Sequence, residues 1–125
     1  MAGFGASAGG LEAFTDVLQH LPEDTGLAFV FIQHLDPRHA SVLTELLSRA
    51  TRMPVTQVTQ GVQLEPNRVY VIPPNSCLSL HEGSLRVEPR PPGTPHMPID
   101  HFFRSLAAEQ GSKAIGVVLS GTASD

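Results

Sequence analysis

Two overlapping motifs near the N-terminus contain residues that could bind a phosphate or act as a nucleophile. Residues 3–8 read G-F-G-A-S-A and fit G-x-G-x-x-G/A, the turn that cradles a phosphate in dinucleotide-binding domains. Residues 5–9 read G-A-S-A-G and fit G-x-S-x-G, the sharp turn that presents a nucleophilic serine. The first motif predicts a phosphate site, and the second predicts a hydrolase with Ser7 as its nucleophile.

A histidine and an aspartate further along the chain favour the hydrolase. His34 follows the apolar run 27–32, and Asp125 ends the segment that follows a second apolar run at 114–119. Parallel strands end at one edge of a sheet, so we expect Ser7, His34 and Asp125 to lie within reach of one another. These are the nucleophile, base and orienting carboxylate of a serine hydrolase. Their chain order differs from that of the α/β-hydrolases, in which the histidine comes last, so that fold is not predicted.

Each residue also has a purely structural interpretation. Ser7 can be a helix N-cap, His34 a strand-end histidine bonded to backbone, and Asp125 a solvated loop carboxylate. A dinucleotide-binding domain of Rossmann type also stays open as an alternative. Such a domain needs an acidic residue that binds the ribose, at the end of the second strand and about 20 residues beyond the glycines. The candidate, Asp36, lies beyond that position and directly before a proline. The joint placement of the three residues therefore favours the hydrolase.

Composition limits the class of protein. A chain of 125 residues is long enough for one domain, and 41% hydrophobic residues without a long apolar run exclude membrane insertion. A net charge of -4 argues against nucleic acid as a partner. The lone cysteine, Cys77, excludes an internal disulfide, and with no recognisable signal peptide it suits a cytoplasmic location.

The elements that would position these residues alternate between strand and helix. Apolar spacings of three and four predict helices near 11–21, 39–50 and 99–110, the second with Val42, Leu43, Leu46 and Leu47 facing inward. Apolar runs at 27–32, 68–72 and 114–119 predict buried strands, and 77–87 predicts a small β-hairpin insertion. The expected fold is a doubly wound, mostly parallel α/β sheet of Rossmann-like type.

The end of the chain predicts an incomplete domain. The run 114–119 is followed by only six residues and no covering helix. We therefore expect residues 1–125 to be one domain that is truncated at its C-terminus. Apolar surface left exposed on the last strand is then expected to promote self-association.

Three segments together resemble a known family. Residues 5–10 (GASAGG), 32–34 (IQH) and 119–125 (LSGTASD) are similar to three signatures of the CheB family, the chemotaxis protein-glutamate methylesterases, in the family's order and spacing. The resemblance covers essentially the whole chain. It implies a doubly wound catalytic domain with Ser7 as nucleophile, His34 as general base and Asp125 as orienting carboxylate. It also implies that the backbone amides of Ala8 and Thr122 form the oxyanion hole.

The resemblance further implies a substrate and partners. The substrate would be a glutamate γ-methyl ester on a cytoplasmic helix of a chemoreceptor, with glutamine deamidation as a side activity and with no metal or organic cofactor. By resemblance the loop from His96 to Asp100 lies near the active site and is a candidate for substrate binding, with a proline-ended loop before the first helical turn as its structural alternative. Arg38, beside the proposed base, is a third candidate that could steer an acidic receptor surface, with an ordinary solvated arginine as its alternative. A metal site at His96 and His101 is not expected, because the two do not share a helical face. The sequence is similar to the sequences of CheB-type modules that are fused to a downstream CheR-type methyltransferase.

The sequence departs from the family at two positions near the site. Ala8 stands where the family usually has threonine, and Thr122 stands where a methionine is common. A catalytically inactive CheB-like interaction module is therefore a further alternative. Because Asp125 is the terminal residue and chain ends fray, we also expect residues 1–125 alone to be a weak or inactive esterase.

Overall fold

A computed structural model describes residues 1–6, 10–33, 40–74, 76–89 and 97–119. Three helices and eight strands lie in this part of the chain. The helices are α1 (Gly10–His20), α2 (Ala40–Ala50) and α3 (Pro98–Gln110). The strands are β1 (Ala2–Ala6), β2 (Ala28–Gln33), β3 (Val55–Gln57), β4 (Val62–Gln63), β5 (Arg68–Val71), β6 (Ser76–His81), β7 (Ser84–Pro89) and β8 (Ile115–Leu119). None of these helices is long and apolar enough to cross a membrane.

The main sheet has five parallel strands in the order β3-β5-β2-β1-β8. β1 and β2 lie inside it and are buried along almost their whole length, as expected for strands covered on both faces. α1 and α2 pack on one face, and α3 packs on the other. The predicted doubly wound α/β sheet is confirmed.

Each face of the sheet has its own hydrophobic core. On the first face, aromatic rings join α1 to the strands: Phe14 stacks on Phe31 with ring centroids 4.4 Å apart, and Phe4 lies 4.9 Å from Phe14. On the second face, Phe102 and Leu106 of α3 pack with Ile32 and with the small sheet. The central strands are close-packed on both faces, so the sheet is a rigid layer and its strand ends are held in fixed positions.

The small sheet is antiparallel, in the order β4-β7-β6, and contains the predicted hairpin. Its turn is at Glu82 and Gly83, which both have positive φ (50° and 79°), the backbone of a tight hairpin turn. α3 covers the β6 edge: the Leu80 amide donates to Ser105 Oγ (3.0 Å), and the Glu82 amide donates to Glu109 Oε2 (3.1 Å). These bonds satisfy edge amides that would otherwise lack partners.

Two predictions about burial are wrong. Of these four side chains, Leu43 and Leu47 are buried, whereas Val42 and Leu46 are 47% and 42% exposed. The reason is that Leu43 and Leu47 face the core on the sheet, whereas the described elements cover the side of α2 with Val42 and Leu46 only in part. The run 114–119 was expected to form a buried strand, but Ile115 and Val118 of β8 are 48% and 64% exposed. Among the described strands, β8 is at the edge of the sheet and pairs with β1 alone. The expectation of exposed apolar surface there is confirmed.

Candidate active site

The carboxyl ends of three strands are level with one another. In the parallel register, Ala6 of β1 pairs with Gln33 of β2 on one side and with Leu119 of β8 on the other. Neighbouring strands are about 4.8 Å apart. The backbone positions that precede Ser7, His34 and the segment 120–125 therefore lie side by side at one edge of the sheet.

The direction in which the chain winds through the sheet reverses between β1 and β8. From β1 the chain moves through α1 and α2 on one face toward β2 and β3, and it later returns through α3 on the opposite face to β8. Open parallel sheets bind their ligands where the winding reverses, beyond the carboxyl ends of the strands, and here that point lies between β1 and β8. The topology thus supplies a natural site next to the ends of β1 and β8.

Most of the predicted site residues lie outside the described part of the chain. They are Ser7, Ala8, His34, Arg38, His96, Thr122 and Asp125. The structure describes the strand ends that precede Ser7 and His34, and the roles of their side chains stay predictions. Among the residues that are described, no cluster of three histidine, cysteine or acidic side chains is arranged to hold a metal ion.

The start of α1 is packed against the ends of two strands. A Cβ atom placed on Gly10 would lie 2.5 Å from Ala6 Cβ and 3.3 Å from the Leu119 carbonyl oxygen, so only glycine fits there. The start of α1 is therefore in close contact with the end of β1, and residues 7–9 join the two elements in the sequence. The first amides of a helix are unpaired and carry partial positive charge. This arrangement suits a turn that must stabilise a developing oxyanion.

The two glycines of the phosphate-binding motif have another role. Gly3 and Gly5 are strand residues two apart, so both face α3, and a Cβ on either would meet α3 side chains. A Cβ on Gly5 would meet Ile99, and a Cβ on Gly3 would meet Phe102, Phe103 and Leu106. A packed helix therefore occupies the space beside both glycines. This packing explains the G-x-G spacing and weighs against a dinucleotide turn.

α3 brings Asp100 to the same edge. Because Ile99 meets Gly5 and Leu106 meets Gly3, α3 runs antiparallel to β1, and its first turn lies at the carboxyl end of the strand. Asp100 lies in that turn, and its Oδ2 forms an exposed ion pair with Arg104 Nε (3.0 Å). Sequence reasoning missed the packing roles of Gly10 and Ile99. The alternate spacing of Gly3 and Gly5 was the available signal for a helix packed closely on β1.

Comparison with known proteins identifies the family. Residues 2–125 match the family model described as CheB methylesterase. The whole chain aligns at 36% identity with protein-glutamate methylesterase/protein-glutamine glutaminase 2 of Xanthomonas oryzae pv. oryzae. It aligns at 38% identity with protein-glutamate methylesterase/protein-glutamine glutaminase 4 of Burkholderia thailandensis. The chain spans 36–37% of the length of these two relatives.

A solved structure shares the fold. The crystal structure of the Thermotoga maritima CheB methylesterase catalytic domain superimposes with a TM-score of 0.86 at 23% sequence identity. The match covers 99% of this chain and 68% of that one. The level strand ends, the reversal of winding beside β1 and the match over residues 2–125 agree with one another, and the chain belongs to the CheB methylesterase family.

Proposed function

We propose that this chain is the catalytic part of a protein-glutamate methylesterase that hydrolyses glutamate γ-methyl esters and also deamidates glutamines. The observation that carries the proposal is the register in which Ala6, Gln33 and Leu119 are level. In a member of this family, that register places the backbone before Ser7, before His34 and before residues 120–125 at one edge. The reaction needs no metal or organic cofactor.

In the proposed reaction, Ser7 Oγ attacks the ester carbonyl while His34 accepts its proton. The backbone amides of Ala8 and Thr122 stabilise the oxyanion, and losing one such donor typically costs about 3 kcal/mol of transition-state stabilisation. The C–O bond to the methoxy group then breaks, and methanol leaves with the proton from His34. Water, activated by the same imidazole, hydrolyses the acyl-enzyme. Asp125 holds the imidazole in the required tautomer.

The proposed substrate is a methylated helix of a chemoreceptor in the cytoplasm. Arg38, His96 and Asp100 are the proposed contacts with it. The position of the first turn of α3 beside the end of β1 supports the role of Asp100. The carboxylate is half-exposed, and its ion pair with Arg104 is a surface pair of the kind worth less than about 1 kcal/mol. The exposed part of the carboxylate is therefore accessible to a substrate group.

Two further proposals concern the assembly. A CheR-type methyltransferase downstream of this chain is proposed because the motif sequences resemble those of fused CheB-type modules. In support, an uncharacterized 104.1 kDa protein of Rhodobacter capsulatus is 43% identical over 83 residues, and the match spans only 9% of its length, so a related segment occurs within a large protein. Self-association of residues 1–125 alone is proposed to occur through β8, because the exposed apolar edge strand of this truncated segment is a template for pairing with another chain.

The function is tested by methanol release from a methylated chemoreceptor and by labelling with a serine-directed fluorophosphonate. We expect label on Ser7, identified by mass spectrometry, and loss of label and activity in Ser7→Ala. Ser48→Ala is the matched control, because Ser48 is an exposed serine on α2 whose hydroxyl bonds only to its own helix. Both measurements use the full-length protein, and a folded full-length protein that neither reacts with the probe nor releases methanol would be the inactive interaction module instead.

A further inference from the structure

Two apolar side chains on the outer surface of α2 are only partly covered within the described part of the chain. Val42 and Leu46 are one helical turn apart and are 47% and 42% exposed. Leu46 forms one wall of an open groove of about 500 Å³ between α1 and α2, whose other wall is Leu11, Glu12, Thr15, Asp16 and Gln19 of α1. The groove therefore combines an apolar wall with an acidic wall.

The acidic wall lacks a counter-charge. Glu12 and Asp16 are four residues apart on one face of α1, and like charges at this spacing repel each other and destabilise a helix. The neighbouring cation on α2, Arg49, is held by Glu45 at 2.6 Å. His20 Nδ1 bonds to the Asp16 backbone oxygen (2.8 Å), not to its carboxylate. Within the described residues, the groove thus keeps two unpaired negative charges beside exposed leucine and valine.

We propose that this groove binds a basic amphipathic helix of a partner protein. The apolar face of such a helix would cover Val42 and Leu46, and its Lys or Arg side chains would pair with Glu12 and Asp16. Helices that bind in grooves use this combination of apolar anchors and rim charges. Binding would relieve both the exposed apolar area and the like-charge repulsion, so the two features point to the same occupant.

Charge argues against a second copy of this chain as the occupant. Within the described part, α1 carries no lysine or arginine, α2 carries only Arg49, and α3 carries only Arg104. Arg49 and Arg104 are already paired with Glu45 and Asp100. None of these helices therefore offers the two cations that the groove needs.

The lining of the groove does not include the strand ends that precede the proposed catalytic residues in the sequence. Glu12, Asp16 and Leu46 lie on the outer surface of the helical layer, whereas the ends of β1, β2 and β8 lie at the sheet edge. The proposal therefore does not depend on the esterase reaction. Ser7→Ala is expected to bind the partner helix as tightly as the wild type.

The test is a fluorescence anisotropy titration of the full-length protein with a labelled 18-residue peptide of leucine and lysine that forms an amphipathic helix. We expect micromolar binding that weakens with salt, and no binding of the corresponding leucine–glutamate peptide. The double variant Glu12→Gln/Asp16→Asn is expected to weaken binding at least tenfold. The control, Glu23→Gln/Asp24→Asn, makes the same change in net charge outside the groove and should weaken it less than twofold.

The apolar half of the proposal is tested by Leu46→Ser, which is also expected to weaken binding at least tenfold. Circular dichroism checks that each variant is folded, and the exposure of all five positions favours this. Equal weakening by the two charge variants, or unchanged binding by Leu46→Ser, would overturn the proposal, because binding would then be general electrostatic attraction. Dimers that dissociate in Leu46→Ser would also overturn it, since a second copy would cover the groove.

Discussion

Ile99, in the first turn of α3, lies directly against the backbone of Gly5 in β1, leaving no space between them for even a methyl group. Gly5 is next to Ala6, the residue at which β1 ends before Ser7. The contact therefore sets the distance between α3 and the strand that leads to the proposed nucleophile.

Gly5→Ala is expected to destabilise the protein by about 1–3 kcal/mol, because the added methyl group overlaps Ile99 and forces the helix away from the strand. The measurement is the free energy of unfolding by urea. Ile99→Ala in the same background should recover part of the loss, with a coupling energy of about 0.5–3 kcal/mol in the double-mutant cycle. The control is Gly116→Ala, where a new Cβ would lie an ordinary 3.4 Å from Phe103. Strictly additive effects of Gly5→Ala and Ile99→Ala would contradict the packing argument.

Gly10→Ala is expected to lower activity more than its effect on stability explains. The new methyl group would overlap Ala6 Cβ, so the end of β1 and the start of α1, between which Ser7 lies in the sequence, must move apart. A displacement of about 1 Å at a catalytic group can cost about 100-fold in rate. Ala13→Gly, in the same helix, is the comparison, because it should cost about 1 kcal/mol of stability without touching the contact between β1 and the start of α1. If both variants keep full methanol release, the start of α1 does not position the proposed nucleophile.

Tyr70→Phe is expected to cost about 1–2 kcal/mol of stability. The buried hydroxyl accepts a hydrogen bond from the Glu65 amide (2.8 Å) and donates to the Gln63 carbonyl (3.3 Å), so its removal leaves both groups without this partner. Unfolding should be followed by circular dichroism, because the chain has no tryptophan and Tyr70 is its only tyrosine. Thr15→Val is the control, since it removes a hydroxyl that bonds only to a carbonyl of its own helix. Equal losses in the two variants would show that the Tyr70 bonds add nothing.

Val118→Lys is expected to reduce self-association. Val118 is the most exposed of the large apolar side chains in the described residues, and it lies on the open edge strand β8, where a lysine blocks pairing with another strand. Light scattering should show a lower mean mass at equal concentration, with unchanged circular dichroism. Val42→Lys makes the same change on α2 and should leave the mass as it is. If only Val42→Lys lowers the mean mass, self-association occurs through α2 and not through β8.

Local patterns in the sequence determined most of the secondary structure and the fold class. The periodicity of Phe14 and Leu18 predicted α1, the apolar run 27–32 predicted a central strand, and the turn residues between 81 and 84 predicted the hairpin. These features are local, since helix and strand periodicity and turn preference depend on residues close in sequence. The motifs around Ser7, His34 and Asp125 likewise identified the family, which the comparisons confirm.

Only the tertiary structure decided which apolar side chains are covered and what the early glycines do. The pattern of α2 predicted four inward residues, yet only Leu43 and Leu47 reach the sheet, because burial depends on which elements pack around the helix. The run in β8 looked like that of a buried strand, but a strand at the edge of the sheet has one neighbour. Gly3 and Gly5 fitted a phosphate turn, and their contacts with α3 show that they make room for a helix some 95 residues later in the chain. Contacts between residues so distant in sequence leave no periodic signal in either segment.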